Sequence, residues 1–384
     1  MRFRDALSGP GLAAVAEFKR RSPSMGNIRP DARVEDIVRA YSQSGANAIS
    51  VLVDVRFAGT IDDLRAARAV TDVPLLAKGF FSTEEHLREL REAGADAALL
   101  ILRDLDDDTT TRLMRYAEGI GLDTLVEAHD DGELQRAHRL EARIVGVNAR
   151  DLSTFAIDRK AQLALVARAK ADVVIAESAI HSRAQGAAAE LAGADAVLVG
   201  TSLMQAADPG AKLRDLVSRP LVKVCGLTRQ EDVDAAVEAG ADLTGFIFAE
   251  GSPRRAPAVL SVPDTVLSVA VFVGETEERG ADLVQLYEHE EGQVRGRDAV
   301  LLRDGERVAS VADLPWEGCD PEHLQHAAAV SGRLVLAGKL GPDNVRAAID
   351  AVHPWAVDAA SRLEEAPGIK DHAKVKAFVE EAHA

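Results

Sequence analysis

Cysteines and aromatic residues are scarce in this sequence. The 384-residue chain has three tyrosines, two tryptophans and two cysteines, Cys225 and Cys319. Two cysteines so far apart build no disulfide framework, and no metal-type spacing of Cys and His occurs. A reducing compartment fits, and no metal is implied. No run of eighteen apolar residues exists, so a membrane span is not expected. The opening MRFRDALSGPGLAAVAEFKRRSPS lacks a signal-peptide layout, because its apolar stretch reads as a short strand that runs into charges. Positive charge is also short. The formal net charge of −17 argues against a nucleic-acid partner, since a phosphate backbone needs a basic face. Small anionic substrates stay open, because a few local amides and cations hold them whatever the global sign. A cytoplasmic monomer is expected.

What the chain does have is repetition. EAGADLTGFIF (238–248) has close copies in REAGADAALLIL (91–102), LAGADAVLVG (191–200), SGANAISVLV (44–53) and RGADLVQLY (279–287). A glycine after an apolar-periodic segment suits the left-handed position that closes a helix. The aliphatic run that follows reads as a strand buried on both faces. Each copy is therefore expected to end a helix and start a strand. The gaps between the glycines at 45, 94, 193, 240 and 280 are near multiples of about 25 residues, the last shorter, and 25 residues is roughly one strand-plus-helix unit.

Aliphatic runs at 13–19, 48–54, 73–78, 97–102, 123–127, 143–148, 173–177 and 196–200 give eight such units. Amphipathic helices fall between them at 83–93, 108–119 and 131–140. A second series follows at 221–226, 243–248, 266–272, 283–287, 333–339 and 356–361. Between its members, DAVLLRDGERVASVAD (298–313) reads as two strands split by Asp-Gly, a hairpin signal. The expected fold is α/β: two tandem (βα)8 TIM barrels, the second shortened and irregular around 288–330. The domains are placed at 1–218 and 219–384.

In such barrels chemistry sits at the carboxyl ends of the strands. In the first series those ends carry Glu17 and Lys19, Asp54, Lys78, Glu127, Asn148, Glu177 and Ser178, then Gly200 and Thr201. Paired acids and bases there can tune one another for proton transfer. The small and hydroxylated loops AESAIHS and LVGTSLM suit phosphate.

The stretch AEFKRRSPSMGNI, with LLAKGF, LVEAH, GVNARDL and AES, resembles the indole-3-glycerol phosphate synthase family over residues 1 to about 215. The resemblance implies ring closure of a carboxyphenylamino-deoxyribulose phosphate with loss of CO2 and water. On it, Lys78 is the general acid toward the substrate ketone, and Lys19 holds the substrate carboxylate and assists proton transfer. Glu127 acts in the dehydration and Glu17 assists or orients. Ser22, Asn148, Arg150, Glu177 and Ser178 bind substrate, and Gly200 and Thr201 its phosphate. The family has Asp where Gly79 stands and Gly where Ala179 stands, and its amino-terminal extension is nearly absent. Slower catalysis of the same reaction is expected.

From about 221 onward, KVCGLT, FIFAEGSPRR, VQL, LAGKLGPDNV and APGIKDH resemble phosphoribosylanthranilate isomerase. That family performs an Amadori rearrangement with an acid and a base. Cys225 matches the base and Arg254 a substrate-binding residue. Asp313 matches the acid, with Asp304 as competitor; Asp313 is favoured because CDPEHLQHAA follows it as the next helix would. The family's His is Tyr287 here. Its phosphate glycines are replaced around Gly338, Lys339, Ser361 and Arg362, where cations could hold the dianion instead. The two resemblances together imply a bifunctional enzyme of tryptophan biosynthesis that uses no cofactor. The alternative is a monofunctional synthase with a structural or regulatory second barrel.

Overall fold

The structure, a computed structural model, describes residues 2–150, 157–288, 297–316 and 321–384. In the first part of the chain the aliphatic runs form β1 (Ala13–Phe18), β2 (Ala48–Leu52), β3 (Leu75–Lys78), β4 (Ala97–Ile101), β5 (Asp123–Ala128), β6 (Ile144–Asn148), β7 (Val173–Glu177) and β8 (Ala196–Val199). All pair in parallel with their neighbours in sequence, and β8 closes on β1. Alternation with period two sorts each strand into two faces. Along β1, Ala14, Ala16 and Phe18 pack outward against helices, while Ala13 and Val15 join the interior cluster with Leu76, Leu125 and Ile175. The helices at Glu84–Glu92, Asp107–Gly119 and Asp131–Arg139 lie within a residue or so of their expected spans. Arg2–Leu7 is a helix that the sequence reading did not anticipate, since six residues carry too little periodicity. Its Phe3 and Leu7 are buried in the barrel-interior cluster.

The repeated glycines behave as expected in conformation. Gly45, Gly94, Gly193, Gly240 and Gly280 have φ of +85°, +102°, +106°, +95° and +71°. Four of them follow helices, but Gly280 follows a loop, so the last copy begins a strand without ending a helix. The residue before each strand has its own task. Asn47, Asp96, Asp195, Asp242 and Asp282 accept the backbone N–H of Ala14, Leu75, Val174, Val222 and Ser268 at 2.8–3.0 Å. Each acceptor stands before one strand and ties down the start of the strand preceding it. Without it, that N–H would be an unpaired donor at the end of the ladder.

The second barrel comprises β9 (Leu221–Val224), β10 (Leu243–Ile247), β11 (Leu267–Val273), β12 (Leu283–Tyr287), β13 (Arg297–Arg303), β14 (Glu306–Asp313), β15 (Leu334–Ala337) and β16 (Ala356–Ala359), again closed. The expected hairpin is β13–β14. Strand β13 runs antiparallel to both neighbours, and Asp304 and Gly305 turn between β13 and β14 with φ of +50° and +83°. Positive φ at both central residues is the two-residue turn that Asp-Gly favours. Among the described residues, α-helices follow only β9, β14, β15 and β16, at Gln230–Glu238, Pro321–Ala329, Val345–Val352 and His372–His383. The irregularity expected around 288–330 is thus an inverted strand, with residues 289–296 and 317–320 outside the description. The chain divides into two compact units, Met1–His181 with Gly186–Val217, and Ser182–Gln185 with Ser218–Ala384. No described helix is long and apolar enough to cross a membrane.

Candidate functional site

The interior of a TIM barrel is normally filled by layers of four aliphatic side chains from alternate strands. In the first barrel the uppermost layer is charged. Strands β1, β3, β5 and β7 contribute Glu17, Lys78, Glu127 and Glu177, all buried. Lys78 Nζ lies 2.5 Å from Glu177 Oε2, 3.5 Å from Glu127 Oε2 and 3.8 Å from Glu17 Oε2. Lys19 Nζ meets Glu17 Oε1 at 2.8 Å. Two intervening strands make room with glycine. A Cβ on Gly146 would stand 2.1 Å from Glu177 Oε1, and one on Gly200 would stand 2.3 Å from Glu17 Oε1.

One lysine among three carboxyls sets their protonation. Burial works against the Lys78 charge, but Glu177, Glu127 and Glu17 outweigh it and hold the ammonium firmly protonated. Burial pushes Glu17 up, while Lys19 and Lys78 bring it below the usual carboxylate range. Glu127 and Glu177 diverge as a coupled pair. Burial raises both, but Lys78 and His129 pull Glu127 down, whereas Glu177 ends well above its ordinary value. Two buried carboxyls that share a site do not both ionise readily.

Above this layer opens a cavity of about 780 Å³, walled in part by Ser22, Asn148, Arg150, Ser178, Gly200 and Thr201. The expected substrate and phosphate residues of the first barrel therefore converge on one space. Glu177, expected among the substrate residues, does not line it: its side chain is fully buried against Lys78 Nζ. Arg150 Nη1 donates to Ser24 Oγ at 3.2 Å, and its backbone N–H donates to Asn148 Oδ1 at 3.0 Å. At Gly79, where the family has Asp, an added Cβ would come 2.8 Å from the tip of the Phe81 ring, which would have to shift. Ser178 and Ala179 sit at φ of +69° and +57°, so Ala179 holds a left-handed conformation where the family has glycine. Sequence reading passed over Arg56, which stacks on Phe80 at 3.4 Å and pairs with Asp54 at 2.9 Å. His129, the last residue of LVEAH, and Glu133 were likewise not singled out from sequence.

In the second barrel Cys225 follows β9 and is buried beside Gly245, where a Cβ would meet its Sγ at 2.6 Å. Burial pushes the thiol up; Lys223 pulls it the other way and Asp358 adds to the rise. Lys223 is buried in the barrel core and donates to Gln285 Oε1 at 2.6 Å and Asp358 Oδ2 at 2.8 Å. Gln285 donates to the Tyr287 hydroxyl at 2.9 Å, and that hydroxyl donates to Asp313 Oδ2 at 3.0 Å. A buried polar chain thus runs from the strand that leads to Cys225 to the carboxyl at the end of β14. Asp304 is elsewhere. It sits in the turn that ends the inverted β13, at the opposite end of the barrel, largely exposed.

Arg254 does not stand free: it grips Glu364 at 2.8 Å, and Lys370 reaches the same carboxylate at 3.0 Å. Both cations lie near Gly226, whose added Cβ would approach Arg254 Cδ at 3.0 Å and Lys370 Nζ at 3.6 Å. Gly338, Lys339, Ser361 and Arg362 come together after β15 and β16. Arg362 donates to the Lys339 carbonyl at 3.3 Å and pairs with Asp343 at 2.8 Å. A Cβ on Gly338 would overlap the Leu314 backbone, so that glycine is required by packing. Lys223, Gln285, Asp358, Glu364 and Lys370 were not singled out from sequence. The available signal was alternation: Lys223 and Gln285 stand two residues before Cys225 and Tyr287. Among the described residues no group of three or more His, Cys, Asp or Glu could hold a metal.

Comparison with known proteins matches the first segment nearly whole and the later part of the second. A family model for indole-3-glycerol phosphate synthase matches residues 1–216, and one for N-(5'phosphoribosyl)anthranilate isomerase matches residues 284–381. Indole-3-glycerol phosphate synthase 2 of Streptomyces coelicolor is 42% identical over 217 residues, covering 56% of this chain and 84% of the relative. The synthase of Mycobacterium ulcerans is 41% identical over 215 residues, covering 56% and 79%. Among solved structures, TrpF from Jonesia denitrificans is 30% identical, covers 43% of this chain and 97% of its own, and has a TM-score of 0.35. Phosphoribosyl anthranilate isomerase from Thermus thermophilus is 27% identical with 42% and 97% coverage and a TM-score of 0.36.

Proposed function

Because this chain belongs to the indole-3-glycerol phosphate synthase family through residues 1–216, we propose residue by residue how its two barrels divide two consecutive reactions. A synthase domain and an isomerase domain are both present, the two halves of a bifunctional enzyme of tryptophan biosynthesis. The C-terminal barrel isomerises N-(5-phosphoribosyl)anthranilate to the open-chain carboxyphenylamino-deoxyribulose phosphate. The N-terminal barrel cyclises that product to indole-3-glycerol phosphate, releasing CO2 and water.

The observation that carries the cyclase assignment is the charged layer around Lys78. As the aromatic carbon attacks the ketone, charge develops on the ketone oxygen, and a fixed ammonium in a dry site neutralises it. A salt-bridged lysine is a weak acid, but the alkoxide it meets is more basic still. Lys19 takes the substrate carboxylate until CO2 departs. Dehydration then needs a carboxylate that accepts a proton and a carboxylic acid that supplies one to the leaving hydroxyl, the roles that Glu127 and Glu177 fill. Gly200 and Thr201 face the phosphate. Lys78→Ala tests this on the open-chain substrate: indole-3-glycerol phosphate formation should fall by about three orders of magnitude or more. Retained turnover would remove Lys78 from the mechanism.

In the second barrel Asp313 protonates the ribose ring oxygen and Cys225 removes the C2′ proton. The Tyr287 hydroxyl is placed to stabilise the carboxylate that Asp313 becomes. Arg254 and Lys370 face the anthranilate carboxylate, and Lys339 and Arg362 the phosphate. Each site draws on residues of its own unit, which suits a monomer; phosphorylated intermediates that do not cross membranes suit the cytoplasm.

A further inference from the structure

Both ring nitrogens of His129 face carboxylates. The residue follows β5, two positions beyond Glu127, and its side chain is only 2% exposed. Nε2 lies 3.2 Å from Glu127 Oε1, and Nδ1 lies 2.9 Å from Glu133 Oε2. The same Glu133 oxygen accepts the His129 backbone N–H at 2.8 Å, and Glu133 Oε1 accepts from Arg103 Nε at 3.2 Å. The Glu133 backbone is itself fixed, because Asp130, the N-cap of Asp131–Arg139, accepts its N–H at 2.8 Å. A neutral imidazole donates from one nitrogen only, so the other would turn a lone pair toward a carboxylate. Nε2 makes no aligned hydrogen bond to Glu127, so what a protonated ring supplies there is charge, and only the imidazolium presents a positive edge to both carboxylates.

We propose that His129 is a positioning residue of the first barrel: held as an imidazolium between Glu127 and Glu133, it keeps Glu127 an aimed carboxylate, so that the single proton of the Glu127–Glu177 pair rests on Glu177. The assignment rests on the cyclase reading above. The surroundings decide it. Glu127 has a cation on each oxygen, His129 at Oε1 and Lys78 at Oε2, whereas Glu177 has Lys78 alone. Glu17, the third carboxyl of the layer, is already matched by Lys19. Lys78 stands nearer Glu177, at 2.5 Å against 3.5 Å, but Glu177 has no second cation and its buried Oε1 has no hydrogen-bond partner, and there the proton rests. The directions agree: His129 is pushed up to about 9 despite burial, by its contacts with Glu127 and Glu133, while Glu127 falls and Glu177 rises.

The consequence is a fixed division of labour in dehydration. The C–O bond breaks as Glu177 gives its proton to the departing hydroxyl, which leaves as water. Glu127 takes the proton lost from the new ring, and the pair ends with one proton, as it began. A structural histidine would need no charge and would leave the two carboxyls interchangeable.

The test uses the full chain labelled with 13C,15N-histidine. His129 is identified among the ten histidines by the signal lost in His129→Gln. Its ring should be doubly protonated at neutral pH, and Glu127→Gln and Glu133→Gln should each lower its midpoint by about one unit or more. This readout does not depend on turnover. On the open-chain substrate, His129→Gln should lower kcat by about tenfold or more with little change in KM, and should move the acid limb of its pH profile upward. Glu133→Gln should move the same limb less. A His129 ring that is neutral at pH 7, one unmoved when Glu127 is neutralised, or an unchanged acid limb in folded His129→Gln overturns the proposal. Coupling seen by NMR in a wild-type chain that does not cyclise the substrate would instead overturn the cyclase reading and leave the ion-paired unit standing.

Discussion

At the scale of single residues, the first barrel's site depends on atoms that are absent. Gly146 and Gly200 carry no side chain because Glu177 and Glu17 occupy that space. Gly146→Ala should keep the fold and displace Glu177, and a shift of about 1 Å is enough to cost roughly 100-fold in kcat, measured on the open-chain substrate. An unchanged kcat would mean that the Glu177 position is immaterial. Ala179 presents the reverse case, a side chain where the backbone favours none. Its φ of +57° predicts that Ala179→Gly raises stability by about 1 kcal/mol, read by chemical unfolding; a lower midpoint would contradict the strain. His129 adds a pH signature. Its folded value lies near 9, above the ordinary 6.5, so its pairing stabilises fully below pH 6.5 and fades as pH rises through 9. The stability gap between wild type and His129→Gln should therefore be wide near about pH 6 and close above about pH 9; a gap that widens with pH would contradict the pairing.

At the scale of elements, the Gly-Ala-Asp repeat is a joint with two parts. Glycine supplies the left-handed turn, and the aspartate accepts the first free N–H of the preceding strand. Asp195→Ala leaves the Val174 N–H without its 2.8 Å partner and should destabilise the first barrel by about 1–3 kcal/mol; an effect under a few tenths would make that bond incidental. The glycine half was legible in the sequence, because αL geometry is a local property. The aspartate half was not, because its partner lies about twenty residues away on the neighbouring strand. The same distinction separates the site residues that were legible from those that were not. Glu17, Lys78, Glu127, Asn148 and Glu177 announce themselves as polar residues where aliphatic strands stop. Glu133 sits on a helix, Arg103 on a loop and Glu364 on a short strand outside the barrel, and only the closed barrel brings them to the residues they orient. The hairpin was visible in Asp-Gly, yet its meaning was not: inverting β13 carries Asp304 to the far end and leaves Asp313 at the rim with Tyr287.

At the scale of the whole molecule, two barrels of unlike electrostatics share one chain. The first concentrates three carboxyls and two lysines in and over its top layer. The second runs lysine, amide, phenol and carboxyl through its core, with Cys225 kept a thiol by burial. Isomerisation should therefore still gain rate as pH rises to about 9, the ordinary value that this thiol exceeds. The central claim is that both barrels turn over in sequence. The direct measurement gives the full chain freshly generated phosphoribosylanthranilate, follows loss of its fluorescence and appearance of indole-3-glycerol phosphate, and repeats this with Cys225→Ser and Lys78→Ala. Wild type should do both, Cys225→Ser neither unless the open-chain intermediate is supplied, and Lys78→Ala should stop at that intermediate. Wild type that ignores phosphoribosylanthranilate yet cyclises the open-chain compound would contradict the account, leaving the second barrel without the isomerase step.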